Sequence, residues 1–107
     1  MAFLYDQAKD IIERGQLWYG DNAIMKRGLP SRCHYNSAKI WETDKEKYRV
    51  ATGYALSPDG MWRQHSWVIE VGPKENRIIE TTEFRVAYFG MVLTDEEAET
   101  LLRQEDI

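Results

Sequence analysis

A chain of 107 residues, 43% of them hydrophobic, is long enough for one modest core and too short for two. Its net charge of −4, with acidic and basic residues interspersed, leaves no basic face for nucleic acid. A single cysteine excludes an internal disulfide and the disulfide-stapled class of secreted mini-proteins, and no apolar run approaches the roughly 18 residues of a membrane span.

Residues 2–14 set Phe3, Leu4, Ala8, Ile11 and Ile12 near one helical face, and Gly15 stands where a helix C-cap glycine belongs. Residues 16–30 mix polarities around Gly20, Gly28 and Pro30 and read as a loop with a short helical turn. Ser31 is placed as the N-cap of a helix from Arg32 to Asp44, whose Cys33, Ser37, Ile40 and Trp41 share one side. Residues 48–57, with Val50, Tyr54 and Leu56, read as a strand ending in the turn Ser57-Pro58-Asp59-Gly60. Residues 61–71 alternate, with His65, Trp67, Ile69 and Val71 on one face, before a turn at Gly72-Pro73-Lys74-Glu75-Asn76. Residues 77–83 and 84–92 follow as one bent strand or two short ones, and the short turns imply an antiparallel sheet. Thr94-Asp95-Glu96-Glu97 is a capping box that opens a last helix, with Ala98, Leu101 and Leu102 as its apolar side. The expected product is one α+β domain over residues 1–107. The N-terminus carries no basic stretch followed by an apolar one, so a cytoplasmic location is expected, with no membrane partner.

Three residues carry candidate chemistry. Cys33 falls in the first turn of the expected helix, where free amides and the macrodipole favour a thiolate. His65 lies on a strand, and Glu80 follows two isoleucines on the next one. Each also has a plain reading: a small buried apolar residue, a core-edge histidine, a solvent-facing carboxylate. Together a thiol, an imidazole and a carboxylate make a nucleophile, a base and a group that orients the base. Hairpin counting leaves the carboxylate open. A four-residue turn sets His65 opposite Phe84, a five-residue turn sets it opposite Glu83, and only a tight Gly72-Pro73 turn or a bulge sets it opposite Glu80. Glu80 and Glu83 both stay candidates. For a tetrahedral oxyanion the Cys33 amide is the natural first donor, with Gln16, Trp18, Tyr19 and Asn22 as sources of a second. Trp62 and Gln64 lie on the strand face opposite His65, whereas Trp67 shares its face, as a wall or as core. Cys33, His34 and His65 lack the spacing of a zinc site, and no phosphate loop or dinucleotide fingerprint occurs, so neither metal nor cofactor is expected.

Helix-borne Cys33, Arg49-Val50-Ala51-Thr52-Gly53-Tyr54, His65-Ser66-Trp67-Val68 and Ile79-Glu80-Thr81 occur in that order between about Ser31 and Thr82. This series resembles the transglutaminase-like core of the papain-like cysteine enzymes, in particular its small bacterial-type domains. That core carries a Cys at a helix N-terminus, a strand of the form R-V-x-x-G-Y, a strand beginning H-x-W-V, and a strand ending in Asp before Thr. Here Glu80 replaces the usual Asp, and Ser31 stands where a Gly usually lies two residues before the Cys. The resemblance implies a papain-like α+β fold: N-terminal helices, the Cys helix packed on an antiparallel sheet, and a C-terminal helix. It implies Cys33 as nucleophile, His65 as base and Glu80 as orienting carboxylate. The activity implied is acyl transfer from a peptide or protein amide through a thioester, resolved by water or by an amine. The alternative is a non-catalytic peptide- or protein-binding domain that keeps the same fold.

Overall fold

The computed structural model describes residues 8–104, in which the chain runs α1 (Ala8–Arg14), β1 (Gln16–Tyr19), a 3-10 turn (Gly20–Asn22), β2 (Ile24–Met25), α2 (Cys33–Thr43), β3 (Tyr48–Leu56), β4 (Trp62–Glu70), β5 (Arg77–Glu80), β6 (Ala87–Val92) and α3 (Asp95–Gln104). The strands form one six-stranded sheet in the order β1-β6-β3-β4-β5-β2. All neighbours are antiparallel except β2, which runs parallel to β5. The architecture is mixed α+β. No described helix is long and apolar enough to cross a membrane.

The sheet is curled, and one short connection shows why. β1 and β2 are its opposite edges, yet only Gly20–Ala23 separates them in sequence. Five Cα steps reach about 17 Å. The edges of a flat six-stranded sheet lie about 24 Å apart, at ~4.8 Å per strand spacing. The sheet must bend until its edges approach. Its concave side then holds Trp67, Tyr88, Ile69, Ile78, Ala51 and Ala55, with Trp18 of β1 and Ala23 of the connection packed against them.

The convex side carries the helices. Ile11 of α1, Trp41 of α2, and Ala98 and Leu101 of α3 pack on Val50, Val68, Ile79 and Met91. Each buried aliphatic of this set contributes about 1.5–3 kcal/mol. The Thr94–Glu97 capping box forms in both directions: the Thr94 amide donates to Glu97 Oε1 at 2.8 Å, and the Glu97 amide donates to Thr94 Oγ1 at 3.2 Å. Arg14 ties α1 to this corner, donating to Glu97 at 3.1 Å and to the Val92 carbonyl at 2.7 Å.

Several expectations need correction. Residues 16–30 are a loop only from Lys26 onward, because Gln16–Tyr19 and Ile24–Met25 supply both sheet edges; the expected helical turn is the 3-10 turn between them. The sheet is not wholly antiparallel. The cap of α2 is Arg32 rather than Ser31, which takes φ 59° in the left-handed region, and no side chain caps the helix. Gly15 follows α1 without a positive φ; a Cβ there would meet the Ile11 carbonyl at 2.2 Å and the Phe89 ring at 2.7 Å, so close approach accounts for the glycine. Ile12 is exposed although Ile11 is buried, and Val71 lies exposed beyond the end of β4. Residues 77–92 form two short strands, with Glu83 and Phe84 exposed between them. The first part of the expected N-terminal helix, with Phe3 and Leu4, lies outside the described residues.

Gly53 and Gly90 face each other across β3 and β6. A Cβ on Gly90 would meet the Thr52 carbonyl at 2.2 Å and the Trp67 ring at 2.8 Å. Gly90→Ala is therefore expected to destabilise the fold by about 1–3 kcal/mol, the usual cost of overpacking. Urea denaturation reads this as a lower midpoint at unchanged slope; an unmoved midpoint would contradict the packing described.

Candidate active site

The first turn of α2 is placed by the chain that leads into it. After β2 that chain continues along the end of β5, with the Lys26 amide donating to the Glu80 carbonyl and the Gly28 amide to the Thr81 carbonyl, both at 2.9 Å. Asn36 then clasps Leu29 from inside the helix: its Oδ1 accepts from the Leu29 amide at 3.0 Å and its Nδ2 donates to the Leu29 carbonyl at 2.8 Å. Ser31 makes the last bend in a conformation that glycine adopts without the Cβ penalty. Cys33 follows as the first helical residue, half-buried and reduced.

β4 and β5 are paired only from Val68↔Ile79 to Glu70↔Arg77, so the loop between them is the six residues Val71–Asn76. Extending that register puts Glu80 opposite Trp67 and diagonal to His65 on the concave face. Neither the four-residue nor the five-residue turn occurs. Residues 65–67 of β4 are free of β5, and there the start of α2 meets the sheet. The Cys33 thiol comes close enough to the imidazoles of His65 and His34 for both to act on its ionisation.

His65 Nε2 lies 2.8 Å from Glu80 Oε1 and 3.0 Å from Oε2, both side chains being buried. Tyr88 donates its hydroxyl to Oε1 at 2.8 Å. Oε2 accepts from the amides of Thr81 at 3.0 Å and Thr82 at 2.9 Å, and from the Thr82 hydroxyl at 3.1 Å. An ionised carboxylate only accepts, so His65 Nε2 carries the proton and Nδ1 is the nitrogen left for the thiol. Trp67 stacks on the His65 ring, with centroids 6.2 Å apart and planes 22° from parallel.

The electrostatics follow from these contacts. Burial alone would push the Cys33 thiol up, but the hydrogen bonds and charges of His34 and His65 outweigh it and bring it down to about 6. Burial would lower His65, yet its bonds to Cys33 and Glu80 raise it above 6.5. Burial would raise Glu80, while His65, Thr82 and Tyr88 hold it below 4.5. Burial and the neighbouring carboxylate keep Tyr88 protonated. The Cys33 and His65 shifts run in the direction of a thiolate–imidazolium pair. Glu80's share of stability is present above pH 4.5 and lost as the pH falls through its lowered value. His65's share is present below pH 6.5 and lost as the pH rises through its raised value.

His34, weighed in the sequence only as a metal ligand, proves to be part of the site. The Thr52 hydroxyl donates to the His65 carbonyl at 3.4 Å, and the Ser66 hydroxyl donates to Thr52 Oγ1 at 2.9 Å. Ser66 Oγ is then an acceptor toward His34 Nδ1, 2.6 Å away. This chain makes His34 Nδ1 the donor to Ser66 and leaves Nε2 outside it. No group of three or more His, Cys, Asp or Glu among the described residues is arranged to hold a metal.

The remaining candidates are dispersed. Glu83 is exposed and has no bond to His65. Gln16 pairs with Gly90, Gly90 with Gly53, and Gly53 with His65, so Gln16 and His65 share one row of the concave face across two glycines. Trp18 instead meets Trp67 edge-on at 5.7 Å, Tyr19 is exposed, and Asn22 sits in the 3-10 turn. Trp62 and Gln64 are exposed. No protein-family model, no curated protein and no solved structure matches the chain.

Two outcomes are expected. Glu80→Ala strands His65, Tyr88 and two amides without their acceptor, and should cost about 3–5 kcal/mol in denaturant unfolding. The milder Glu80→Gln should lower the pH at which the His65 imidazole titrates by NMR, and an unchanged titration would deny the pairing. In His34→Gln the thiolate absorbance of Cys33 should develop at higher pH than in the parent; coincident curves would leave His34 a packing residue only.

Proposed function

We propose that this chain is a cysteine-dependent acyl-transfer enzyme acting on amide bonds of a peptide or protein, built on a papain-like arrangement of helix and sheet. The reading rests on one arrangement: Cys33 opens α2 within electrostatic reach of His65, whose Nε2 is 2.8 Å from the buried Glu80 carboxylate. It is supported by the resemblance of the Cys33, His65-Ser66-Trp67-Val68 and Ile79-Glu80-Thr81 segments to the transglutaminase-like core, and by Ser31 holding a backbone conformation natural to the glycine usual at that place.

In this mechanism the Cys33 thiolate attacks the amide carbon and a C–S bond forms. The C–N bond then breaks, and the His65 imidazolium gives its proton to the departing amine. The acyl group is left on sulfur as a thioester. Water, deprotonated by His65, attacks the thioester; the C–S bond breaks, the carboxylic acid leaves and the thiolate returns. Glu80 holds the imidazole ring and its tautomer throughout. The first-turn amide of Cys33 is the first donor for the oxyanion.

Iodoacetamide alkylation tests the reading. In the parent the rate should reach half its plateau near pH 6. In His65→Ala the transition should move toward the free-thiol value of about 8.5, so that the rate at pH 6 falls roughly a hundredfold. An ordinary thiol titration in both proteins would remove the enzyme reading in favour of a binding domain. Hydrolysis predicts products with new carboxyl termini; amine-linked adducts alone would contradict it.

A further inference from the structure

Beside the candidate active site lies a cleft of about 260 Å³, between the chain that leads into α2 and the loop that leaves β5. Arg27, Ser31, Thr81, Thr82, Glu83 and Arg85 line it. Ser31 is two residues from Cys33, and Thr81 and Thr82 donate to the Glu80 carboxylate, so the cleft wall and the site share residues. Its size suits one side chain rather than a cofactor.

The cationic groups in this wall have no carboxylate partner among the described residues. Arg49, elsewhere, donates to the carbonyls of Lys45, Glu46 and Tyr48, and Arg14, Arg63, Arg77 and Arg103 each sit on a carboxylate. Arg27 and Arg85 instead donate to neutral oxygens: Arg27 to the Thr82 carbonyl at 2.6 Å, Arg85 to the Glu83 carbonyl at 3.1 Å and to Ser57 Oγ at 2.9 Å. No carboxylate among the described residues lies within 4.0 Å of either guanidinium. Arg85 is half-buried, where an uncompensated charge is costly. Thr81, which lines the cleft, is fully buried and its Oγ1 has no hydrogen-bond partner. Two guanidiniums without a counter-charge and one orphaned hydroxyl make a donor set that lacks an anion. Glu83 at the rim is the one opposing charge; it is exposed and engages neither arginine.

We propose that this cleft is a specificity pocket for the carboxylate side chain of an acidic residue near the amide bond attacked, with Arg27 and Arg85 as its binding groups and the Thr81 hydroxyl as a third donor. The proposal rests on the acyl-transfer reading and adds the substrate class, an acidic peptide. The carboxylate would supply the counter-charge that the arginines lack, and the neutral glutamine or asparagine analogue would leave both guanidiniums without one.

The test uses dipeptidyl acyloxymethyl ketones, which alkylate an activated cysteine, carrying Glu or its isostere Gln at either residue. Intact-protein mass spectrometry gives the rate of Cys33 modification. In the parent the Glu probe should react about tenfold faster than the Gln probe, the ratio expected of one charge-assisted bond. That ratio should fall with added salt. It should drop severalfold in Arg27→Gln, approach unity in Arg27→Gln/Arg85→Gln, and rise in Glu83→Gln; Arg27 and Glu83 are exposed, so those two variants should fold even where Arg85→Gln does not. Equal rates in the parent, failure of both probes to label a thiol that iodoacetamide shows to be activated, or a Glu preference that survives loss of both arginines would overturn the pocket alone. An ordinary iodoacetamide titration together with no labelling by either probe would overturn the acyl-transfer reading and the pocket with it.

Discussion

The buried carboxylate of Glu80 is the constraint around which this structure is arranged. Taking such a charge out of water costs several kcal/mol unless its lone pairs are filled. Here five donors fill them: a ring nitrogen, a phenol, a threonine hydroxyl and two amides. The two amides belong to Thr81 and Thr82, which directly follow β5. Because a neighbouring side chain captures them, they cannot extend the ladder with β4, a local competition between side chain and strand. The pairing ends at Val68↔Ile79, and the start of α2 takes the space so released.

That opening reconciles two facts that otherwise conflict. α2 packs on the convex side of the sheet through Trp41, whereas His65 faces the concave side with Trp67 and Tyr88. A continuous ladder would separate the thiol from the imidazole. Where the strands part, residues 33 and 34 engage residues 65 and 66 side by side, one thiol to one ring and one ring to one hydroxyl. The hydroxyl chain through Ser66 and Thr52 then returns to the His65 carbonyl, so both rings around the sulfur are held by groups on the sheet, His34 by Ser66 and His65 by Glu80.

How much of this was legible in the sequence depended on the length over which a pattern could repeat. Residues 61–71 alternate long enough for period two to place His65 and Trp67 together, and the Thr94–Glu97 cap is a local four-residue signal. β1 and β2 have four and two residues, too few for any period, and their strand character comes from the partners they find at β6 and β5. Ser31 carries a residue type favoured at caps, but its backbone is bent by the closure of the loop on Asn36. Glu80 was recoverable through its likeness to a family pattern and not through hairpin counting, since the six-residue loop Val71–Asn76 and the diagonal contact lay outside the turns considered. His34 gave a signal only as a histidine beside a cysteine; its partner Ser66 is brought to it by tertiary packing alone.

The joining of the two sheet edges has a consequence for the order in which the chain acquires its shape. Gln16 pairs with Gly90, and Ile24 with Ile79, so the edge strands are synthesised well before the partners they need. Contacts so distant in sequence are slow to close and are made late. Cys33 is translated long before Glu80, and until β5 arrives the carboxylate that holds His65 does not exist. The nascent chain therefore carries an ordinary thiol, and its activation coincides with completion of the sheet.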